Sequence, residues 1–196
     1  MSLTDKTAAP DSDNNDEPQC TADLPHNASM NTRWKPSVTV AAVIEQSGRF
    51  LLVEEHTPEG LRLNNPAGHL DPGESPQQAC ARETLEETAF QFTPRALVGV
   101  YLARFQRPQP GSAGPEDISY LRFAFCGDLG SWDAQRTLDT GIVRTLWLSA
   151  DEIRSSAARL RSPMVLQCME DYLAGQRFGL ELLHTHPSVQ SLQAQP

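Results

Sequence analysis

The stretch "AGHLDPGESPQQACARETLEETAF", residues 67–90, constrains the fold more than any other. Its first half is a bend set by Gly68, Pro72 and Gly73, and its second half opens a helix with a well-defined start. Ser75 is placed as N-cap, Pro76 sits at the first helical position and Gln78 completes a Ser-x-x-Gln capping box. At about 100° per residue, Glu83, Glu86 and Glu87 fall on one side of this helix, and Ala81, Thr84, Leu85 and Thr88 on the other. Like charges three and four apart repel by roughly 0.2–0.5 kcal/mol per pair. The acidic face therefore predicts a compensating positive charge.

The flanking segments predict a sheet. In "WKPSVTVAAVIE" apolar residues occupy both faces of a strand, as expected for one interior to a sheet. Gly48 interrupts it and "RFLLVEEH" follows, so the two read as a hairpin. "RALVGVYLARF", "ISYLRFAFCG" and "VRTLWLS" read as three further strands. The first two are joined by "QRPQPGSAGPED", a Pro/Gly-rich connection of lid length. Ser149 is placed to cap a helix through "ADEIRSSAARL", and Ser162-Pro163 to start another, "MVLQCMEDYLA", that Gly175 ends. The pattern predicts an α/β domain, a mixed sheet with helices on its faces, over residues 34–183. Residues 1–33 hold few large apolar side chains and read as a disordered polar tail, and 184–196 as a flexible C-terminal tail.

A formal net charge of -9 argues against a surface built for nucleic acid, which needs clustered Lys and Arg. It does not exclude a small phosphorylated substrate, because one metal ion reverses the local sign of charge. The four cysteines, Cys20, Cys80, Cys126 and Cys168, lie far apart and fit reduced thiols. No signal-peptide core and no apolar run of membrane-spanning length is present, so a soluble cytoplasmic protein without a membrane partner is expected.

Two features give the acidic face a chemistry. Arg82 adjoins the cluster and Glu74 precedes the helix, so a guanidinium fork can tie the loop carboxylate back. The bend also brings backbone carbonyls to the same face. Carboxylates with a carbonyl suit Mg²⁺ or Mn²⁺, whereas zinc would ask for His or Cys.

The spacing of Gly68, Glu74, Arg82-Glu83 and Glu86-Glu87 resembles the Nudix box, and residues 34–181 resemble, in order, bacterial phosphatases of the Nudix hydrolase family. The resemblance implies an α/β/α sandwich around a mixed β-sheet and a metal-dependent diphosphate hydrolase. By it, Glu83, Glu86 and Glu87 bind Mg²⁺ (or Mn²⁺), the Gly68 carbonyl adds a ligand, and Glu74 acts through water or by pairing Arg82. The implied substrates are nucleoside triphosphates or diphosphates, or small organic diphosphates such as thiamine-precursor diphosphates. The alternatives are an ADP-ribose or dinucleotide pyrophosphatase and a non-catalytic ligand-binding module; the retained acidic residues favour an enzyme. Two positions depart from the box: Thr84 replaces a large aliphatic residue and Ala89 replaces a glycine.

Outside the box, Asp139, Glu116, Asp117 and Asp128 are candidates for a further carboxylate, and Arg104, Arg122 and Arg161 for phosphate contacts. Trp34 is a candidate for ring stacking or for packing over a sheet edge. His184 and His186 resemble a small metal pair but stand alone near the terminus, and His69 lies inside the box.

Overall fold

Thirteen residues, Pro76–Thr88, form helix α1, and both of its ends follow from local chemistry. The Ser75 side chain accepts from the Gln78 N–H, the Gln78 side chain accepts from the Ser75 N–H, and Pro76 opens the helix, as expected. At the far end Ala89 adopts a left-handed conformation, φ 61°, and its N–H donates to the Leu85 carbonyl. The chain then turns straight into a strand. The structure, a computed structural model, describes residues 33–107 and 116–191. The middle of the Pro/Gly-rich connection and nearly all of the polar N-terminal segment lie outside the described residues.

Among the described residues eight strands form two sheets. The mixed sheet has the order β5-β1-β7-β6, from β1 (Ser37–Ala42), β5 (Ala67–His69), β6 (Phe90–Arg107) and β7 (Glu116–Trp132). In it β1 runs parallel to β7, while the β1–β5 and β6–β7 pairs are antiparallel. As expected, β1 is interior. The second sheet is antiparallel: β3 (Arg49–Thr57) pairs with β2 (Glu45–Gln46), β4 (Gly60–Asn64) and β8 (Ile142–Ser149). The expected hairpin between β1 and β3 does not form. The hairpin belongs to β2 and β3, and β1 leaves for the other sheet, where parallel pairing with β7 buries it on both sides.

Two apolar clusters flank the mixed sheet. Val40, Ala42, Phe92, Leu97 and Phe125 pack with Ala79 and Cys80 of α1. Ala41, Val43, Leu52, Val98 and Ala124 face the other way, toward Val165, Cys168 and Met169 of α3 (Pro163–Leu173). The face of α1 that packs differs from expectation. Ala79, Cys80, Thr84 and Thr88 are buried, Ala81 and Leu85 only half-buried, and Glu87 is buried with the packing residues. Thr84 fits in place of a larger aliphatic residue because its hydroxyl donates to the Cys80 carbonyl at 2.7 Å, leaving its methyl in the core.

The other helices are shorter or capped differently than predicted. Helix α2 ends at Ser155 (Ala150–Ser155), with a Ser149–Glu152 capping box, and a 3₁₀ turn follows at Ala157–Arg159. Ser162 precedes α3 at the N-cap position, yet its hydroxyl makes no cap bond and is buried without a partner. The terminal segment expected to be irregular contains a short helix, α4 (Ser188–Ser191). Cys80, Cys126 and Cys168 are free thiols. Among the described residues no helix is long and apolar enough to cross a membrane.

Candidate active site

The N-terminal bend lays β5 alongside β1, with Gly68 opposite Val40, and α1 crosses behind it. Glu83 lies so close to Gly68 that a Cβ on residue 68 would overlap its carboxylate. Arg82 is the hub of the acidic face. Its Nε and Nη2 donate to the two oxygens of Glu74 at 3.0 and 2.7 Å, Nη1 donates to Glu83 and Glu86 at 2.8 and 2.9 Å, and Nη2 also reaches the His69 carbonyl at 3.0 Å. The predicted tie between Glu74 and Arg82 is thus a two-pronged fork. The carboxylates hold the Arg82 guanidinium, Glu74 foremost, far more firmly protonated than usual. Burial works against the Glu74 charge, and the Arg82 fork with the Asp71 N–H outweighs it, so its pKa lies below the ordinary value.

Glu87 has a different environment. It accepts a hydrogen bond from the Ala67 N–H at 2.8 Å, and among the described residues it makes no salt bridge. Burial, together with the charges of Glu83, Glu55 and Asp139, pushes its pKa up to about 8. Burial likewise raises Glu83, against the pull of Arg82. Asp139 is therefore close enough to act on both, and its N–H donates to the Glu86 carbonyl at 3.1 Å. The other carboxylates considered outside the box are not brought here: Asp117 pairs with Arg104 and Asp128 with Arg95, all at the surface.

A cavity of about 520 Å³ opens beside Gly68. Predicted residues Arg122 and Arg161 line it with Gly68 and His69, whereas Trp34 does not and is 64% exposed. Arg104 is spent on Asp117. Glu55, Asn64, Thr39 and Ser162 also line the cavity and went unnoticed in the sequence. Each has a buried oxygen without a hydrogen-bond partner, as do Nε and Nη1 of Arg122. No motif marks these residues; they read as ordinary strand and turn positions. His186 faces Ser188 instead of pairing with His184.

The donor set fits a hard divalent cation. Three glutamates and a backbone carbonyl are oxygen donors, Gly68 leaves room against Glu83, and buried Glu87 makes no salt bridge with the described residues. Among the described residues no three His, Cys, Asp or Glu side chains already converge as a cage, because Glu83 and Glu86 are turned onto Arg82.

The sequence model of the NUDIX domain matches residues 33–168, a span that contains this whole arrangement. The chain belongs to the Nudix hydrolase family. Among Nudix relatives, phosphatase NudJ of Escherichia coli (strain K12) is 35% identical over 150 residues, 76% of this chain and 92% of NudJ. A NUDIX hydrolase from Nitrosomonas europaea, a solved structure, is 52% identical with a TM-score of 0.68, covering 78% of this chain and 98% of that one. A MutT protein from Methanosarcina mazei Go1, 22% identical with a TM-score of 0.56 over 74% of this chain and 98% of its own, shares the Nudix fold. The α/β fold and the hydrolase class expected from the sequence are those of the family, whose members use divalent metal ions.

Proposed function

We propose that this Nudix hydrolase is a Mg²⁺-dependent phosphatase that removes a phosphate group from nucleoside triphosphates or diphosphates, or from small organic diphosphates. The observation that carries the reading is the placement of Glu83 against Gly68 with buried Glu87 beside it, next to a cavity that holds two arginines. Similarity to the phosphatase NudJ supports the phosphatase branch.

Glu83, Glu86, Glu87 and the Gly68 carbonyl would hold the cation, Mg²⁺ or Mn²⁺, whose charge would neutralise substrate oxygens and lower the pKa of a bound water. Arg82 keeps Glu83 and Glu86 aimed together while it clamps Glu74 and the His69 carbonyl, so the bend stays fixed to the helix. The Ala67 N–H orients the Glu87 carboxylate. Asp139 and Glu55 are the nearby carboxylates outside the box available to take a proton from the attacking water. The hydrolytic unit spans residues 34–183, flanked by dispensable tails, and works in the cytoplasm.

The deciding experiment supplies purified protein and Mg²⁺ with nucleoside triphosphates, nucleoside diphosphates, ADP-ribose and thiamine-precursor diphosphates. Orthophosphate, pyrophosphate and nucleoside monophosphate are followed separately. Orthophosphate as the primary product, dependent on Mg²⁺, is expected. Cleavage of ADP-ribose in preference to the other substrates would replace this reading with that of a dinucleotide pyrophosphatase.

A further inference from the structure

Two of the three guanidinium nitrogens of Arg122, Nε and Nη1, have no hydrogen-bond partner among the described residues. Arg122 stands on β7 opposite Thr39 of β1, is 6% exposed and lines the cavity. Burial lowers its pKa, but a guanidinium stays protonated at any ordinary pH. The Cys168 sulfur beside it favours the charge, and Glu55 and Glu87 act on it through space. Buried donors left without acceptors are costly, and an anion in the cavity would satisfy Nε and Nη1.

Two independent features bring more positive potential to the same cavity. Helix α3, 11 residues long, begins at its wall, and the N-cap hydroxyl of Ser162 is buried and unpaired. Pro163 has no N–H and the Val165 N–H already donates to the Ser162 carbonyl, so this end offers an anion the positive end of the helix dipole and the Ser162 hydroxyl. Arg161 adds a second guanidinium, 3.7 Å from Glu55 and 3.5 Å from Glu59, distances too long for tight hydrogen-bonded pairs. Glu55 and Glu59 are the acidic part of the lining and both lie near Arg161; Glu55 also acts on Arg122, whose Nε and Nη1 remain open to an anion.

We propose that Arg122, Ser162 and the N-terminus of α3 form a subsite for the terminal, monoesterified phosphate of the substrate. This deepens the phosphatase reading and rests on it, because it makes a free phosphate end a condition of good binding. A terminal phosphate carries close to two charges and three strong acceptor oxygens, whereas each phosphate of a dinucleotide bridge carries one charge and two free oxygens. Gly68 and Arg122 lie on β5 and β7, on either side of β1, and both line the cavity.

The test measures binding by calorimetry, with and without Mg²⁺, on the full chain. The probes are two analogues with a methylene bridge between the phosphorus atoms: adenosine α,β-methylene diphosphate, which has a free phosphate end, and α,β-methylene ADP-ribose, which has none. The first is expected to bind at least about tenfold more tightly. Arg122→Gln is expected to abolish that preference, and Ser162→Ala to reduce it severalfold, without lowering the thermal midpoint of the ligand-free protein for Arg122→Gln. Arg122→Lys, which keeps the charge, retains part of the preference and carries the comparison if Arg122→Gln does not fold. Equal binding of the two analogues, no binding of either, or equal weakening of both by Arg122→Gln (a contact to the adenosine moiety) would overturn the subsite. Because neither analogue is turned over, these outcomes are separate from the phosphatase assay, which can fail or succeed by itself.

Discussion

Glu83 fills the space that a side chain on Gly68 would need. The overlap falls on the end of a flexible side chain and not on backbone, so a methyl group at residue 68 displaces the Glu83 carboxylate and leaves the strand in place. Gly68→Ala is therefore expected to lower kcat by roughly 10²-fold while changing the thermal midpoint by only a few degrees. Steady-state kinetics and thermal unfolding on the same preparation check it; a variant that turns over like wild type would show that Glu83 has no fixed role.

Glu87→Gln separates function from stability. Under the proposed function it removes a charged ligand, and kcat is expected to drop by roughly 10² to 10⁴. The folded pKa, about 8, lies above the value of an unfolded glutamate, so the native state holds the extra proton between them. The stability tied to that proton is fully present below about pH 4.5 and is lost as pH rises through 8, to the extent of about 2–4 kcal/mol. Cation-free Glu87→Gln should thus be flatter than wild type over this window and more stable at pH 8. Urea unfolding at pH 5 and pH 8 measures the difference.

Arg82→Lys keeps one charge and loses the fork. Lysine cannot hold both oxygens of Glu74 while also reaching Glu83, Glu86 and the His69 carbonyl. A loss of about 1–3 kcal/mol in stability is expected, with a weaker apparent affinity for Mg²⁺, since Glu83 and Glu86 lose their common orientation. Denaturant midpoints and a Mg²⁺ titration of activity read the two effects independently.

Ala89→Gly tests the exit of α1. The observed φ of 61° strains a residue with a Cβ by about 1–2 kcal/mol. Glycine removes that strain but gives up a buried methyl and loosens the unfolded chain, so a gain of up to about 1 kcal/mol is expected. A lower urea midpoint at unchanged slope would show that methyl burial outweighs the strain.

What could be read from the chain beforehand was what local chemistry determines. Ser75, Pro76 and Gln78 specify the start of α1 within four residues, the departure at Ala89 marks its left-handed exit, and the Arg82–Glu74 fork follows from their positions beside the same bend. The division into two sheets was hidden because β1 and β3 have similar apolar patterns, and only pairing with the distant β7 decides which sheet takes β1. Burial of Glu87 was hidden as well, because helical arc alone does not say how far neighbouring β5 wraps around the helix. The polar lining of the cavity, Thr39, Glu55, Asn64 and Ser162, comes from four separate elements and forms no local pattern at all.

Between β4 and β5 the chain changes sheets through only Asn65 and Pro66, and Ala42 grips the Pro66 carbonyl at 2.8 Å. The proline ring restricts rotation there, and Arg161 is tethered at the neighbouring position through its N–H to the Leu63 carbonyl. Sliding one sheet against the other would have to be absorbed by this dipeptide, so the floor of the chamber has a nearly fixed width. Room for a bulkier guest must then come from its rim, where Phe105, Tyr120 and His69 stand as separate side chains with rings about 6 Å apart. Redesign of what this enzyme admits belongs at those three positions, and changes to the floor would be felt by both sheets at once.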